Sequence, residues 1–354
     1  MLGSLFYDHW TYDPDCEIPD LAGKVAIVTG VSEETIGHYT AQLLAVHGCK
    51  VYVVSRNEQK TRHCMSLIEK AHPKLRDSGL LVFHPLDQSS CVKSKESAEA
   101  FLSKEKRLDI LVNNAGRLAF EYALTPEGIE ESVATNHVGQ FVFTTSLLPL
   151  IKATAKMPHS DVRILIHSSR GAPATVRYEF ASLADFNDIG TSNSFLGRVK
   201  RYSTTKFMNL LFMFELQARL DAEHIPVTVI SLHPGAVQSG SVFCFFHSAS
   251  WLLTVYTAAG ISPYEGAFTT LFAATSAEVA AQRERYKARF LLPYGRIVDV
   301  IPQARDPELA RLLWETTECC NRCLREGVSD NVTYRRTWDS SATITMLHAV
   351  EFPT

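Results

Sequence analysis

Six apolar runs punctuate the chain: KVAIVT (24–29), KVYVVS (50–55), LLVFHPL (80–86), DILVNN (109–114), VRILIHSS (162–169) and PVTVISLHP (226–234). They are continuous rather than alternating and rich in Val and Ile, the mark of strands buried on both faces. Between them lie longer helical patterns, such as TAQLLAVHG after the first run and a polar stretch to about His72 after the second. Strands that alternate with helices predict a parallel sheet with both faces covered. The expected fold is α/β: a doubly wound parallel sheet, the Rossmann arrangement. Residues 23–324 form the expected domain, and 1–22 and 325–354 lack the pattern and read as extensions across the surface.

Ligands of such a sheet bind beyond the C-terminal strand ends, where strand order reverses. Gly30, Arg56, Asp87, Asn114, Ser169 and Pro234 all stand at or just past the end of a run. The first of these ends is TGVSEETIG (29–37), a small-residue loop between strand and helix in the setting of a phosphate cradle. Gly30 and Gly37 are present, a middle glycine is not, and Glu33 and Glu34 sit beside the expected phosphate position. Gly30 permits the tight turn and Gly37 the close helix packing, while Ser32 or Thr35 offers a hydroxyl to phosphate and the two acids point to solvent.

The composition is that of a soluble globular protein: 46% hydrophobic, 21% charged, net charge −3, without a basic excess to attract nucleic acid. The first residues show no basic segment followed by an apolar one, and eight irregularly spaced cysteines do not make a disulfide framework, so a cytoplasmic setting is expected. Cys320 and Cys323 have CxxC spacing beside Cys319, but no second Cys or His pair accompanies them, so no metal is expected.

Tyr202 and Lys206, in RYSTTKF, lie four apart on a predicted helix and share a face. A free tyrosine titrates near about 10, and a neighbouring ammonium favours the phenolate, which suits the phenol to acid–base work. NNAG (113–116), NHVG (136–139) and HSS (167–169) precede the pair, and HPGAVQS (233–239) follows it. With these motifs in this order, residues 22–324 resemble the short-chain dehydrogenase/reductase family, and within it the branch of retinol dehydrogenases and related carbonyl reductases. The resemblance implies that Tyr202 is the catalytic acid/base, and that Lys206 binds the nicotinamide ribose and lowers the tyrosine's pKa. It implies that Ser169 bonds the substrate carbonyl, with Ser168 the competing choice, and that Asn136 holds a water of the proton relay. Ile36 and Asn114 are implied along the cofactor, Asp87 at the adenine, and Pro234, Gly235, Val237 and Ser239 at the nicotinamide. ADFNDIG (184–190) is similar to an insertion in that branch.

The end of the second run is VVSRNE, where Arg56 suits the 2′-phosphate of NADP, whereas an acid would suit NAD. Glu33 and Glu34 weigh the other way; NADP is expected, with NAD the alternative. Residues 241–262 carry Phe243, Phe245, Phe246 and Trp251 and read as an apolar substrate lid, a core helix or a peripheral membrane contact. The leading expectation is an NADP-dependent enzyme interconverting an alcohol and a ketone or aldehyde on a small-to-medium apolar substrate. A non-catalytic cofactor-binding scaffold and an enoyl reductase are the alternatives, and a homo-oligomer is compatible with the resemblance.

Overall fold

The structure is a computed structural model that describes residues 12–118, 121–170, 178–238, 240 and 260–326, with side chains through Arg322. Eight strands form one sheet in the order β3-β2-β1-β4-β5-β6-β7-β8. They are β1 (Val25–Thr29), β2 (Lys50–Ser55), β3 (Leu81–Pro85), β4 (Ile110–Asn113), β5 (Val162–His167), β6 (Val227–Leu232), β7 (Arg289–Leu292) and β8 (Arg296–Val298). All neighbours are parallel except β7 and β8, which form an antiparallel edge with Leu292 opposite Arg296. The six predicted strands are present; β7 and β8 were not anticipated.

Every residue of β1, β5 and β6 is buried, which is why these segments are apolar without alternation. Successive residues still serve opposite faces: Val25 and Ile27 join one core, Ala26 and Val28 the other. Seven helices of more than ten residues appear among the described residues: α1 (Ile36–Val46), α2 (Glu58–Ala71), α3 (Cys91–Leu102), α4 (Gly139–Ala155), α5 (Phe195–Ala222), α6 (Pro263–Thr275) and α7 (Pro307–Glu326). The core of α3, α4, α5 and α7 lies on one side of the sheet, and that of α1, α2 and α6 on the other. Side-chain caps start most of them: Thr35 for α1, Asn57 for α2, Ser90 for α3, Ser194 for α5, and a Ser262–Glu265 capping box for α6.

The described part of the N-terminal extension does more than cross the surface. Tyr12, Ile18 and Leu21 are buried in the α1/α2/α6 core, with Tyr12 against Phe268 at 5.2 Å between ring centres. At the other end α7 seats Trp314 against Phe141 of α4 and Phe212 of α5, under the guanidinium of Arg219 at 4.3 Å.

From β1 the chain winds outward to β2 and β3, then returns to place β4 beside β1. That reversal opens a crevice past the ends of β1 and β4, where Gly30 and Asn114 stand.

Candidate active site

The loop after β1 is held by its own short polar side chains. Thr35 Oγ1 donates to the Ser32 carbonyl at 2.7 Å and accepts from His38 N at 3.3 Å, capping α1. Its proton is committed inside the loop, so the expected phosphate-facing role of Thr35 falls away and leaves Ser32. Gly30 adopts φ +74°, and a Cβ there would meet Ala115 Cα at 2.6 Å; one on Gly37 would meet Asn114 Nδ2 and the Gly30 carbonyl at 2.8 Å. Both glycines are thus required by close backbone approach. The acids are directed outward as expected. Glu34 accepts from Tyr39 Oη at 3.0 Å, Glu33 lies 3.8 Å from His63, and both are exposed.

Asn114 stitches the crevice shut at its base. Its side-chain amide donates to the Thr29 carbonyl at 2.7 Å, and its own N–H and that of Ala115 reach Thr29 Oγ1 at 3.1 and 2.9 Å. Arg56 stands exposed one residue past β2. Asp87, just past β3, accepts from the Ser89 hydroxyl at 2.6 Å and faces Lys93 at 3.3 Å. Burial alone would raise its pKa, but Ser89 and Lys93 outweigh that and hold it below the usual value.

Tyr202 and Lys206 come together on α5 as their spacing requires, the ammonium 5.6 Å from the phenol ring centre. Lys206 is buried and donates to the His167 carbonyl at 3.0 Å, an oxygen it shares with Asn209 at 3.1 Å. Burial pushes the phenol up to about 12, and pulls Lys206 down to about 8. Loss of water around the charged form is the cause of both shifts.

Asn136 falls in a π-helical turn, Ala134–Val138, that leads into α4. Its Oδ1 accepts from Arg117 N at 2.6 Å, and its Nδ2 donates to the Arg117 carbonyl at 2.9 Å and to Thr205 Oγ1 at 3.0 Å. Thr205 in turn donates to the Tyr202 carbonyl at 2.8 Å, so the asparagine side chain braces the turn of α5 that carries the tyrosine. Of the two serines, Ser168 is buried and donates to the Lys206 carbonyl at 2.6 Å. That bond spends its hydroxyl on anchoring β5 to α5. Ser169, one residue on and half-buried, opens on a cleft of about 450 Å³.

Past β6, Gly235 takes φ +99° and Val237 pairs with Ile261 in an isolated parallel bridge. A Cβ on Gly266 of α6 would lie 2.6 Å from Val237 Cγ2 and 3.3 Å from Ile36 Cγ1, so the loop after β6 and the start of α1 converge there. Pro234 is half-buried beside them. Ser239 and residues 241–259, most of the expected lid, lie outside the described residues.

Two residues of this region carried no signal in the sequence. Glu130 and Arg201 are both fully buried and 3.8 Å apart. Arg201 Nη1 also donates to the Gly190 and Ser192 carbonyls, and Asn187 Oδ1 accepts from Glu130 N at 2.8 Å. The stretch that carries Asn187, Gly190 and Ser192 is thereby fastened to Glu130, just ahead of the Asn136 turn, and to the residue that precedes Tyr202.

A doubly wound sheet, a glycine cradle at the strand-order reversal and a Tyr–Lys pair on a helix across the crevice define a dinucleotide-binding oxidoreductase site. The comparisons agree. Residues 24–172 match the family model for short chain dehydrogenase. The chain is 40% identical over 310 residues to a short chain dehydrogenase/reductase of Colletotrichum higginsianum, covering 85% of this chain and 75% of that protein. An uncharacterised protein from Mycobacterium paratuberculosis superposes with a TM-score of 0.66 at 25% identity, covering 88% and 98% of the two chains. The active-site complex of Pseudomonas aeruginosa RhlG with NADP shares the fold, with a TM-score of 0.57 at 22% identity over 78% and 96%. The chain belongs to the short-chain dehydrogenase/reductase family and is an NAD(P)-dependent oxidoreductase. Among the described residues no group of three His, Cys, Asp or Glu is placed to hold a metal ion, and no helix is long and apolar enough to cross a membrane.

Proposed function

We propose that this enzyme interconverts an alcohol and a ketone or aldehyde on a small-to-medium apolar substrate, using NADP in preference to NAD, with Tyr202 as proton donor and acceptor. The observation that carries the reading is the Tyr202–Lys206 pair on α5, fastened to the end of β5 beside Ser169 through the Lys206–His167 and Ser168–Lys206 hydrogen bonds.

When bound, the nicotinamide supplies or accepts the hydride; everything else is done by the chain. The cradle fits a dinucleotide: Gly30 and Gly37 keep the loop backbone bare, and α1 points its N-terminus at the crevice. Arg56 is exposed where an adenosine 2′-phosphate would arrive, and this supports NADP. Ser169 donates to the oxygen on which charge develops during reduction. Burial raises the Tyr202 pKa, so the phenol is protonated at neutral pH and has a proton to give when a carbonyl is reduced. Lys206, fixed on the His167 carbonyl, is placed to meet the ribose and to stabilise the phenolate once the proton has left. The likeness of ADFNDIG (184–190) to an insertion of the retinol dehydrogenase-like branch supports that branch.

Tyr202→Phe tests the reading with a panel of ketones and aldehydes, monitored at the reduced-nicotinamide absorbance. Turnover should fall by roughly a hundredfold or more while NADPH affinity stays within about threefold. A variant that kept a tenth of the wild-type rate would remove Tyr202 from the mechanism.

A further inference from the structure

Two donors converge on one oxygen beside the Tyr202–Lys206 pair. The carbonyl of His167, the last residue of β5, accepts from Lys206 Nζ at 3.0 Å and from Asn209 Nδ2 at 3.1 Å. Asn209 follows the lysine by three positions on α5, as Tyr202 precedes it by four, so the three side chains form one stripe of the helix. Lys206 is buried and Asn209 completely so.

A carbonyl oxygen offers two lone pairs. With Asn209 on one of them, the ammonium is left the other. Gly116, at the end of NNAG after β4, shows on which side that lies: a Cβ on this glycine would stand 3.3 Å from Lys206 Nζ and 3.5 Å from Asn136 Oδ1. The ammonium is thus held against bare backbone at the crevice, and its bond to His167 occupies one of its three N–H groups. Asn209 is costly as a mere filler of that space. Its Oδ1 is buried with no hydrogen-bond partner among the described residues, which works against stability. Leucine, with the same branching and no polar atoms, would escape that cost and lose only a second bond to an oxygen that Lys206 already satisfies.

We infer that Asn209 is a positioning residue for Lys206: by occupying one lone pair of the His167 carbonyl, it confines the ammonium to the other, beside Gly116, where the ribose of the cofactor meets it. The inference rests on the reading of Lys206 as the ribose contact and adds what fixes that contact in place. The nicotinamide ribose is common to NADPH and NADH. Asn209 therefore serves both cofactors equally, unlike Arg56.

The test is a double-mutant cycle on the full chain, read as the dissociation constants of NADPH and NADH from their fluorescence, with urea unfolding of every variant. Lys206→Met should weaken both cofactors by about tenfold or more. Asn209→Leu should weaken both by about fivefold, while its urea midpoint stays within about 0.5 M of the wild type. Added to Lys206→Met, Asn209→Leu should change neither constant by more than about twofold, because its effect passes through the lysine. Asn209→Ser, one bond too short for the carbonyl, runs the same cycle if the leucine variant does not fold. Losses that multiply in the double variant, or an Asn209→Leu that binds both cofactors as the wild type does, would overturn the inference and leave the ribose reading standing. A Lys206→Met that binds both normally removes the ribose reading and the inference with it.

Discussion

Replacing Arg201 by methionine keeps most of the stem and removes a guanidinium that is fully buried 3.8 Å from Glu130. Glu130 then remains as an interior charge with no cation, and breaking a buried pair from one side costs about 3–5 kcal/mol. The reverse truncation is milder. Glu130 Oε2 accepts from the amides of Ser132 and Val133 at 2.9 Å each, and a glutamine oxygen can keep both bonds. Glu130→Gln should cost about 1 kcal/mol or less, because it removes a buried charge along with the pairing. The pH dependence gives a second handle. Burial, only partly offset by those amides and by Arg201, raises the folded-state pKa of Glu130 above its ordinary 4.5. The folded state therefore holds the proton more tightly, and this group's contribution to stability falls as pH rises from about 4.5 through the raised value. Arg201→Met should widen that window and Glu130→Gln should abolish it. Urea unfolding at pH 5 and pH 8, followed by tryptophan fluorescence, measures all of this, and Glu130→Gln/Arg201→Met should be more stable than Arg201→Met alone. A loss below about 1 kcal/mol for Arg201→Met at pH 8, or equal losses for the two single variants, would refute the reasoning.

Gly30→Val should weaken NADPH and NADH alike, since its Cβ would press on the Ala115 backbone, whereas Arg56→Ala should weaken NADPH selectively; fluorescence titration with both cofactors distinguishes the two effects. Ser169→Ala should lower kcat by roughly a hundredfold with little change in stability, while Ser168→Ala, which loses the anchor on α5, should lower stability by about 1 kcal/mol and be the less damaging to turnover. Lys206, pulled from 10.5 to about 8 by burial, binds its proton less tightly folded than unfolded. Its contribution to stability therefore rises with pH between about 8 and 10.5, and unfolding of Lys206→Met across that range should lack the rise.

How much of this was legible in the sequence depended on how locally each feature is encoded. The six inner strands announced themselves because strands buried on both faces must be apolar at every position. The β7–β8 edge did not: RFLL and RIV are short, each begins with an exposed arginine, and no window contains a full period. The Tyr202–Lys206 pairing was readable from a four-residue step, but the direction of their pKa shifts was not, because desolvation is supplied by strands and loops far away in the chain. Ser168 and Ser169 are indistinguishable as letters. Their division of labour follows from the alternation of side chains at a strand end, which turns one toward α5 and the other toward the cleft. Glu130 and Arg201 read as two ordinary surface charges until Asn187, Gly190 and Ser192 bond to them.

The docking of α7 has a consequence for how this chain meets others of its kind. Helices α4 and α5 present Phe141 and Phe212 on a face that would be strongly apolar if bare, and Trp314 of the same polypeptide covers it. A tethered helix outcompetes a second molecule for such a face, because its local concentration is set by a short connection rather than by the number of copies in the cell. The cover also reaches inward: Thr317 bonds His137 at 2.9 Å, in the same π-helical turn as Asn136. The order around the tyrosine is thus supported from within one polypeptide, through Trp314 and Thr317 of the same helix.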